Sequence, residues 1–243
     1  MNITLPAILF ALSIVSGMLG IGVGMPAVPF LSIYLADLVN EVQPLSLLLN
    51  GVTALLSCIA FANAGYVQWR RASLLAITTT LSAPWGSVLA LSLPHGMIWA
   101  VYLLSAMYVT YSLLYPRKNQ NRKENFRLVL WLSVPISVVS SFLGVGAGFL
   151  LVPALIACGF DTKNAAGMNA FAVTPSSFAA MLPHSDEMHL DLAMVVPLLI
   201  AGALGSYLGG WIASRDVPDR FFRYIFAAVI LFTTLYRAVR ELS

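Results

Sequence analysis

Gly20, Gly22 and Gly24 stand at alternate positions inside an apolar run, and Gly144, Gly146 and Gly148 repeat them at a constant offset of 124. Ser16, Leu19, Val28, Pro29 and Leu31 recur with them as Ser140, Leu143, Val152, Pro153 and Leu155. Glycine weakens a helix interior and proline removes a donor from it, so each copy reads as a helix broken at depth. A break frees backbone N–H and C=O groups, which a bilayer tolerates only where protein or a water-filled cavity satisfies them. The resumed helix presents unpaired N–H donors and a partial positive charge, which suit an anion. Glycine also lets a ligand approach the backbone closely. The other use of such glycines is purely structural, as tight hairpin tips packed against neighbouring helices.

The polar side chains near these breaks are neutral. Asn50 and Thr53 follow the first copy, and Gly167 and Asn169 sit in the matching place after the second. Asn63, Thr78, Thr79, Thr80, Asn164, Thr174, Ser176 and Ser177 are also at depth, where helix–helix hydrogen bonding is their ordinary use. No Asp, Glu, Lys or Arg falls mid-span. Ionisable residues inside spans usually mark ion pathways, so their absence argues against a cation pump. It favours a substrate that brings its own negative charge and is held by dipoles and neutral donors. The expected substrate-binding set is Gly20, Gly22, Gly24, Asn50, Thr53, Gly144, Gly146, Gly148, Gly167 and Asn169.

The elements that must position these residues are membrane helices. Of 243 residues, 59% are hydrophobic and only 9% charged, with a mean hydropathy of +0.86. A soluble domain carries roughly a quarter charged residues, so the chain reads as an all-α integral membrane protein. Its net charge of +3 is no nucleic-acid signal, because the basic residues cluster between apolar segments. The stretch from Met1 to Leu5 has no basic region and no cleavage site, so no cleaved signal peptide is expected. Cys58 and Cys158 lie in apolar surroundings and read as buried thiols.

Runs of spanning length fall at 44–62, 72–93, 97–115, 163–183, 190–213 and 219–237. Two longer runs, 5–36 and 127–158, contain the glycines. As a straight helix each would be about 48 Å long, against a hydrocarbon core of about 30 Å. Each is therefore either one tilted helix with an apolar tail or two short helices folded into a hairpin. If both are hairpins, six spans place every Lys and Arg on one side except Arg237 and Arg240, and both termini lie outside. If both cross once, the basic residues divide between the two sides. The positive-inside rule therefore favours the hairpins.

With hairpins each half makes three crossings, so the second half is inverted relative to the first, a frequent transporter architecture. The halves are 1–116 and 126–243, joined by a polar cytoplasmic linker over 117–125. Small residues four apart, Gly86 with Ala90 and Gly205 with Gly209, are expected at close helix contacts. His184 and His189 fall in an outer loop with Asp186 and Glu187, where solvation is the default and a proton relay the alternative.

The doubled Gly-x-Gly-x-Gly followed by proline resembles the signature of the sulfite exporter TauE/SafE family. The second copy, from Phe142 to Pro153 and continuing from Gly159 to Asn169, is the closer match. Where the family often has Gly-Thr-Ser, this chain has Gly167, Met168 and Asn169, an amide in place of a hydroxyl. The resemblance extends from about Ala7 to Leu235. It implies a secondary transporter of small sulfur-containing anions such as sulfite, thiosulfate or organosulfonates, in a bacterial inner membrane, with protons as the candidate coupling ion. A passive small-anion channel is the alternative. An enzyme is not expected: a rhomboid-type Gly-x-Ser-Gly, a His-Glu-x-x-His motif and a carboxylate pair at depth are all missing, and so is a nucleotide-binding Gly-x-x-x-x-Gly-Lys-Ser. No cofactor or metal is implied. The partners expected are the anion and the lipid bilayer, with no nucleic acid.

Overall fold

The computed structural model describes residues 4–114, 124–185 and 191–215, together with Tyr224 and Ala228. Residues 117–123 of the expected linker, the loop residues Asp186, Glu187 and His189, and nearly all of the span at 219–237 lie outside these. The described residues are helical, with no strand among them. In chain order the helices are α1 (Thr4–Met18), α2 (Gly24–Leu31), α3 (Gln43–Asn63), α4 (Trp69–Ser92), α5 (His95–Leu114), α6 (Phe126–Phe142), α7 (Gly148–Ala157), α8 (Thr162–Met181) and α9 (Leu192–Ser214).

The spanning runs read from hydropathy coincide with α3, α4, α5, α8 and α9 to within a few residues. By length and composition, Leu38–Asn63, α4 and α9 can cross a membrane, with mean hydropathies of 2.0, 1.5 and 1.9. Burial points the same way. Trp131, Leu81 and Trp85 are 80%, 70% and 69% exposed, while Ser13, Asn50, Ser57, Asn169 and Ser206 are fully buried. A large apolar surface over a core that holds hydroxyls and amides suits hydrocarbon outside, not water. The chain is a multi-pass membrane protein.

Each long run is interrupted at its glycines. α1 stops at Met18 and α2 starts at Gly24; α6 stops at Phe142 and α7 starts at Gly148. Between them Gly20 and Gly22 have φ of 64° and 75°, and Gly144 and Gly146 both have 70°. That left-handed backbone costs other L-residues roughly 1–2 kcal/mol each, which is why glycine stands at these four positions. Beyond the second break the chain turns back: the N–H of Asn125, just before α6, donates to the Cys158 carbonyl just after α7 at 3.0 Å. Along α3, Ser57 donates to the Gly17 carbonyl (2.8 Å) and Ser46, three turns earlier, to the Gly24 carbonyl (3.2 Å). The chain therefore retreats along α3 as it passes from α1 into α2.

The two halves exchange partners. α1 lies along α9, and α6 lies along α4. Gly209 of α9 faces the Ile14 carbonyl of α1, and Gly86 of α4 faces the Val138 carbonyl of α6, where Val138 stands 124 positions after Ile14. A methyl group at either glycine would collide with backbone, so these are the small-residue contacts that let membrane helices close up. Gly205 does the same against the Phe10 carbonyl. α3 packs between α8 and α9, and α4 packs against α8. Every residue of α2 is buried.

The basic groups collect at one end, while Asp37, Glu41 and Asp191 lie elsewhere. Arg71 pairs with Glu124 and lies over the Phe126 and Phe160 rings. Lys163 donates to the Arg215 carbonyl at 2.8 Å and lies over Tyr66. At the other end the structure departs from the expected solvated loop. His184 sits in a 3-10 turn (Leu182–His184), 1% exposed, and no hydrogen bond reaches either ring nitrogen. Burial lowers its pKa, with the Val39 backbone pulling weakly the other way, so it is held neutral. Cys58 and Cys158 are buried and not joined in a disulfide.

Candidate functional site

The two breaks meet face to face. A Cβ at Gly24 would strike the Val145 carbonyl oxygen, and one at Gly148 would strike the Ile21 carbonyl oxygen. Gly24 and Gly148 are equivalent positions in the two copies, and so are Ile21 and Val145, so the contact is reciprocal. Only residues without a side chain allow the two backbones this close. The seam contains no charge: α1, α2 and α7 carry no ionisable side chain at all.

Two asparagines bind the seam together. Asn50 is the eighth residue of α3 and Asn169 the eighth of α8. Asn50 Oδ1 accepts from the Gly24 N–H at 2.7 Å, and its Nδ2 donates to Ser177 Oγ at 2.9 Å. Its amide also lies against the hydrogen faces of Gly22 and Gly146, so it touches both breaks. Three residues along, Thr53 Oγ1 accepts from the Val23 N–H at 3.0 Å and donates to the Leu49 carbonyl at 2.7 Å. Asn169 Nδ2 donates to the Gly20 carbonyl at 2.6 Å, and the same nitrogen lies 3.1 Å from where a Gly148 Cβ would be. A third amide crosses between halves where Gln43 Nε2 donates to the Phe142 carbonyl at 3.1 Å, beside Gly144.

Of the residues expected at a site, Gly22, Gly24, Gly146, Gly148, Asn50 and Asn169 converge on one place, with Thr53 one turn away. Gly20 and Gly144 form the outer rims, against the Ala166 carbonyl and the Gln43 side chain. Gly167 is not brought in. The atom nearest its missing Cβ is the Tyr66 carbonyl oxygen at 2.8 Å, in the loop between α3 and α4, so its absent side chain serves packing there. The use of Asn50 also differs from a ligand donor, because its carbonyl is held by Gly24 and its NH2 group bonds Ser177. Hydropathy reading passes over Gln43, since a lone glutamine at a helix start looks like an interface residue. Ser177 stands among many mid-span hydroxyls, and nothing local singles it out.

Below the first break a small recess is lined by Met18, Leu19, Phe61, Thr162, Lys163, Ala166 and Ala213. It lies between the Gly20 rim and the charged end of the molecule. The described residues hold no cluster of His, Cys, Asp or Glu able to bind a metal.

Two relatives, each called "Probable membrane transporter protein", come from Xylella fastidiosa strains Temecula1 and 9a5c. They are 28% and 27% identical over 231 residues, covering 90% of this chain and 88% of theirs. No solved structure matches the chain significantly. The family model described as sulfite exporter TauE/SafE matches residues 5–237, a range that takes in both breaks, both asparagines and the helices that hold them, and the chain belongs to that family.

Proposed function

We infer that the chain is a secondary transporter of small sulfur-containing anions, working by alternating access about its two breaks. The observation that carries this is the reciprocal meeting of the breaks in a seam with no charged side chain, lined by backbone and amides. Membership of a family described as sulfite exporters and the transporter names of the relatives support the substrate class and the activity. In this reading the halves 1–116 and 126–243 form an inverted-topology repeat, each opening with a broken hairpin. The return of α7 to the start of α6 and the gathering of Arg71, Lys163 and Arg215 at one end support that topology. The charged end faces the cytoplasm by the positive-inside rule, in the inner membrane of a bacterium. The recess under Gly20 is then the approach from the cytoplasm.

The anion is held at the N-terminus of α7. No side chain among the described residues accepts from the N–H groups that open this helix, whereas those of Val23 and Gly24 at α2 are engaged. Asn169 stands beside it. Transport counterflow in proteoliposomes tests the reading: sulfite loaded inside should drive saturable uptake of labelled sulfite. Flux that neither saturates nor shows counterflow would mean a channel, and no flux of any sulfur oxyanion would remove the substrate class.

A further inference from the structure

Asn169 is fixed in one orientation. The Gly20 carbonyl, 2.6 Å from its nitrogen, can only accept, so the NH2 group must face it. The amide oxygen Oδ1 is thereby turned away, on a side chain with no solvent exposure, and no hydrogen bond reaches it. A buried acceptor without a donor is unfavourable, and such groups call for an explanation. Next to it α7, ten residues long, begins at Gly148 with its opening N–H groups uncapped by side chains. The second break thus offers donors on one side and a lone acceptor on the other. A fully deprotonated oxyanion satisfies the donors and is repelled by the acceptor. A monoanion that keeps one proton satisfies both.

Resting on the reading that this seam holds a sulfur oxyanion, the geometry points to a site that selects the singly protonated form, hydrogen sulfite, over the sulfite dianion, sulfate or an aprotic sulfonate. A site built to hydrogen-bond a ligand's proton rejects analogues that lack it, because its own buried group is then left unpaired. The protein adds little titration of its own. α1, α2 and α7 carry no titratable side chain, while α3 carries only Cys58, α6 only Arg127, α8 only Lys163 and α9 only Tyr207. Of the other elements packed on α7 and α8, α5 carries His95, Tyr102, Tyr108 and Tyr111, α4 carries Arg70 and Arg71, and the turn after α8 carries the buried His184. Lys163 is engaged with Arg215 at the charged end. Titration of His95 or His184 would act on every anion alike, so a pH dependence near neutrality that sulfite shows and methanesulfonate does not belongs to the ligand.

The test is calorimetric titration of the full-length purified protein, without oxygen, across the pH range in which the sulfite dianion takes up one proton to become hydrogen sulfite. Sulfate and methanesulfonate, which do not titrate there, are run in parallel. On the alkaline side the apparent Kd for sulfite should rise about tenfold per pH unit, as the binding form is depleted. Sulfate and methanesulfonate should bind at least about tenfold more weakly and without slope. In Asn169→Ala the preference for sulfite over methanesulfonate should collapse. Sulfite binding that is flat with pH, sulfate binding equal to sulfite, or the same slope with methanesulfonate would each overturn the inference. If none of the three binds at any pH, it is the substrate reading of the preceding section that fails.

Discussion

At the first break the N–H groups of Val23 and Gly24 already have acceptors, Thr53 and Asn50. At the second, no side chain among the described residues accepts from the opening N–H groups of α7, and the α8 side chains against Gly148 are the apolar Val173 and the Asn169 NH2 group, itself a donor. Asn50 and Val173 each stand beside the glycine that starts the short helix of their own half. The two copies share a backbone path and a reciprocal contact, yet their chemistry differs. One side-chain cap is worth about 1 kcal/mol, so the first break is the better tied of the two. The second break has no such side-chain acceptor among the described residues.

The largest expected effect attacks what the breaks have in common. Gly146→Val should abolish transport and cost about 2–5 kcal/mol, from left-handed strain at φ 70° plus overpacking against the Asn50 amide and Ser177. Gly65→Val separates the two causes, because Gly65 has φ of 79° with open space around it. It should show the strain alone and transport normally, and thermal unfolding with counterflow reads both variants. Normal transport by Gly146→Val would remove the seam as substrate site.

Next comes a transplant of the difference itself. Val173→Asn places at α7 the amide that Asn50 supplies to α2. It should lower sulfite affinity about ten- to a hundredfold, because the new acceptor competes for the helix N–H groups, and should leave the melting temperature unchanged or raised. Calorimetry on the folded variant decides, and an unaltered affinity would mean that the N-terminus of α7 is not the anion site.

The reverse change is expected to act on stability. Asn50→Ala leaves the buried Gly24 N–H without its acceptor and Ser177 without its donor, a loss of about 1–3 kcal/mol. Its effect on affinity should stay within a few fold; a hundredfold loss at constant stability would return Asn50 to the ligand. Thr53→Val should be milder, about 1 kcal/mol in thermal unfolding with transport retained, since the neutral hydrogen bonds with Val23 and with the Leu49 carbonyl are removed but the side-chain volume is kept.

Much of the fold is written locally. Hydrocarbon as solvent forces spanning segments to be helical and of fixed length, so apolar runs such as 44–62 and 72–93 are enough to locate Gln43–Asn63 and Trp69–Ser92. Glycines at alternate positions identify the breaks because only glycine adopts the left-handed backbone at Gly20, Gly22, Gly144 and Gly146 without strain. The repeat makes it legible that the two breaks belong together, and the expectation that Asn50 and Asn169 sit near them follows from their equal distance into α3 and α8.

Other features exist only once the helices have docked. α1 against α9 and α4 against α6 join segments far apart in the chain, and which carbonyl faces Gly209 or Gly86 depends on helix register, which hydropathy does not encode. The same register gives Asn50 to Gly24 and Ser177, turns Gly167 toward Tyr66 and not the seam, and buries His184 in a segment whose neighbours in sequence are polar. Composition and spacing determine that this chain is helical and apolar enough for a membrane, and where its glycines stand. Which amide satisfies which broken backbone, and which atom is left without a partner, is decided by the tertiary structure, because a hydrogen bond across two helices depends on ångström-scale placement between residues a hundred positions apart.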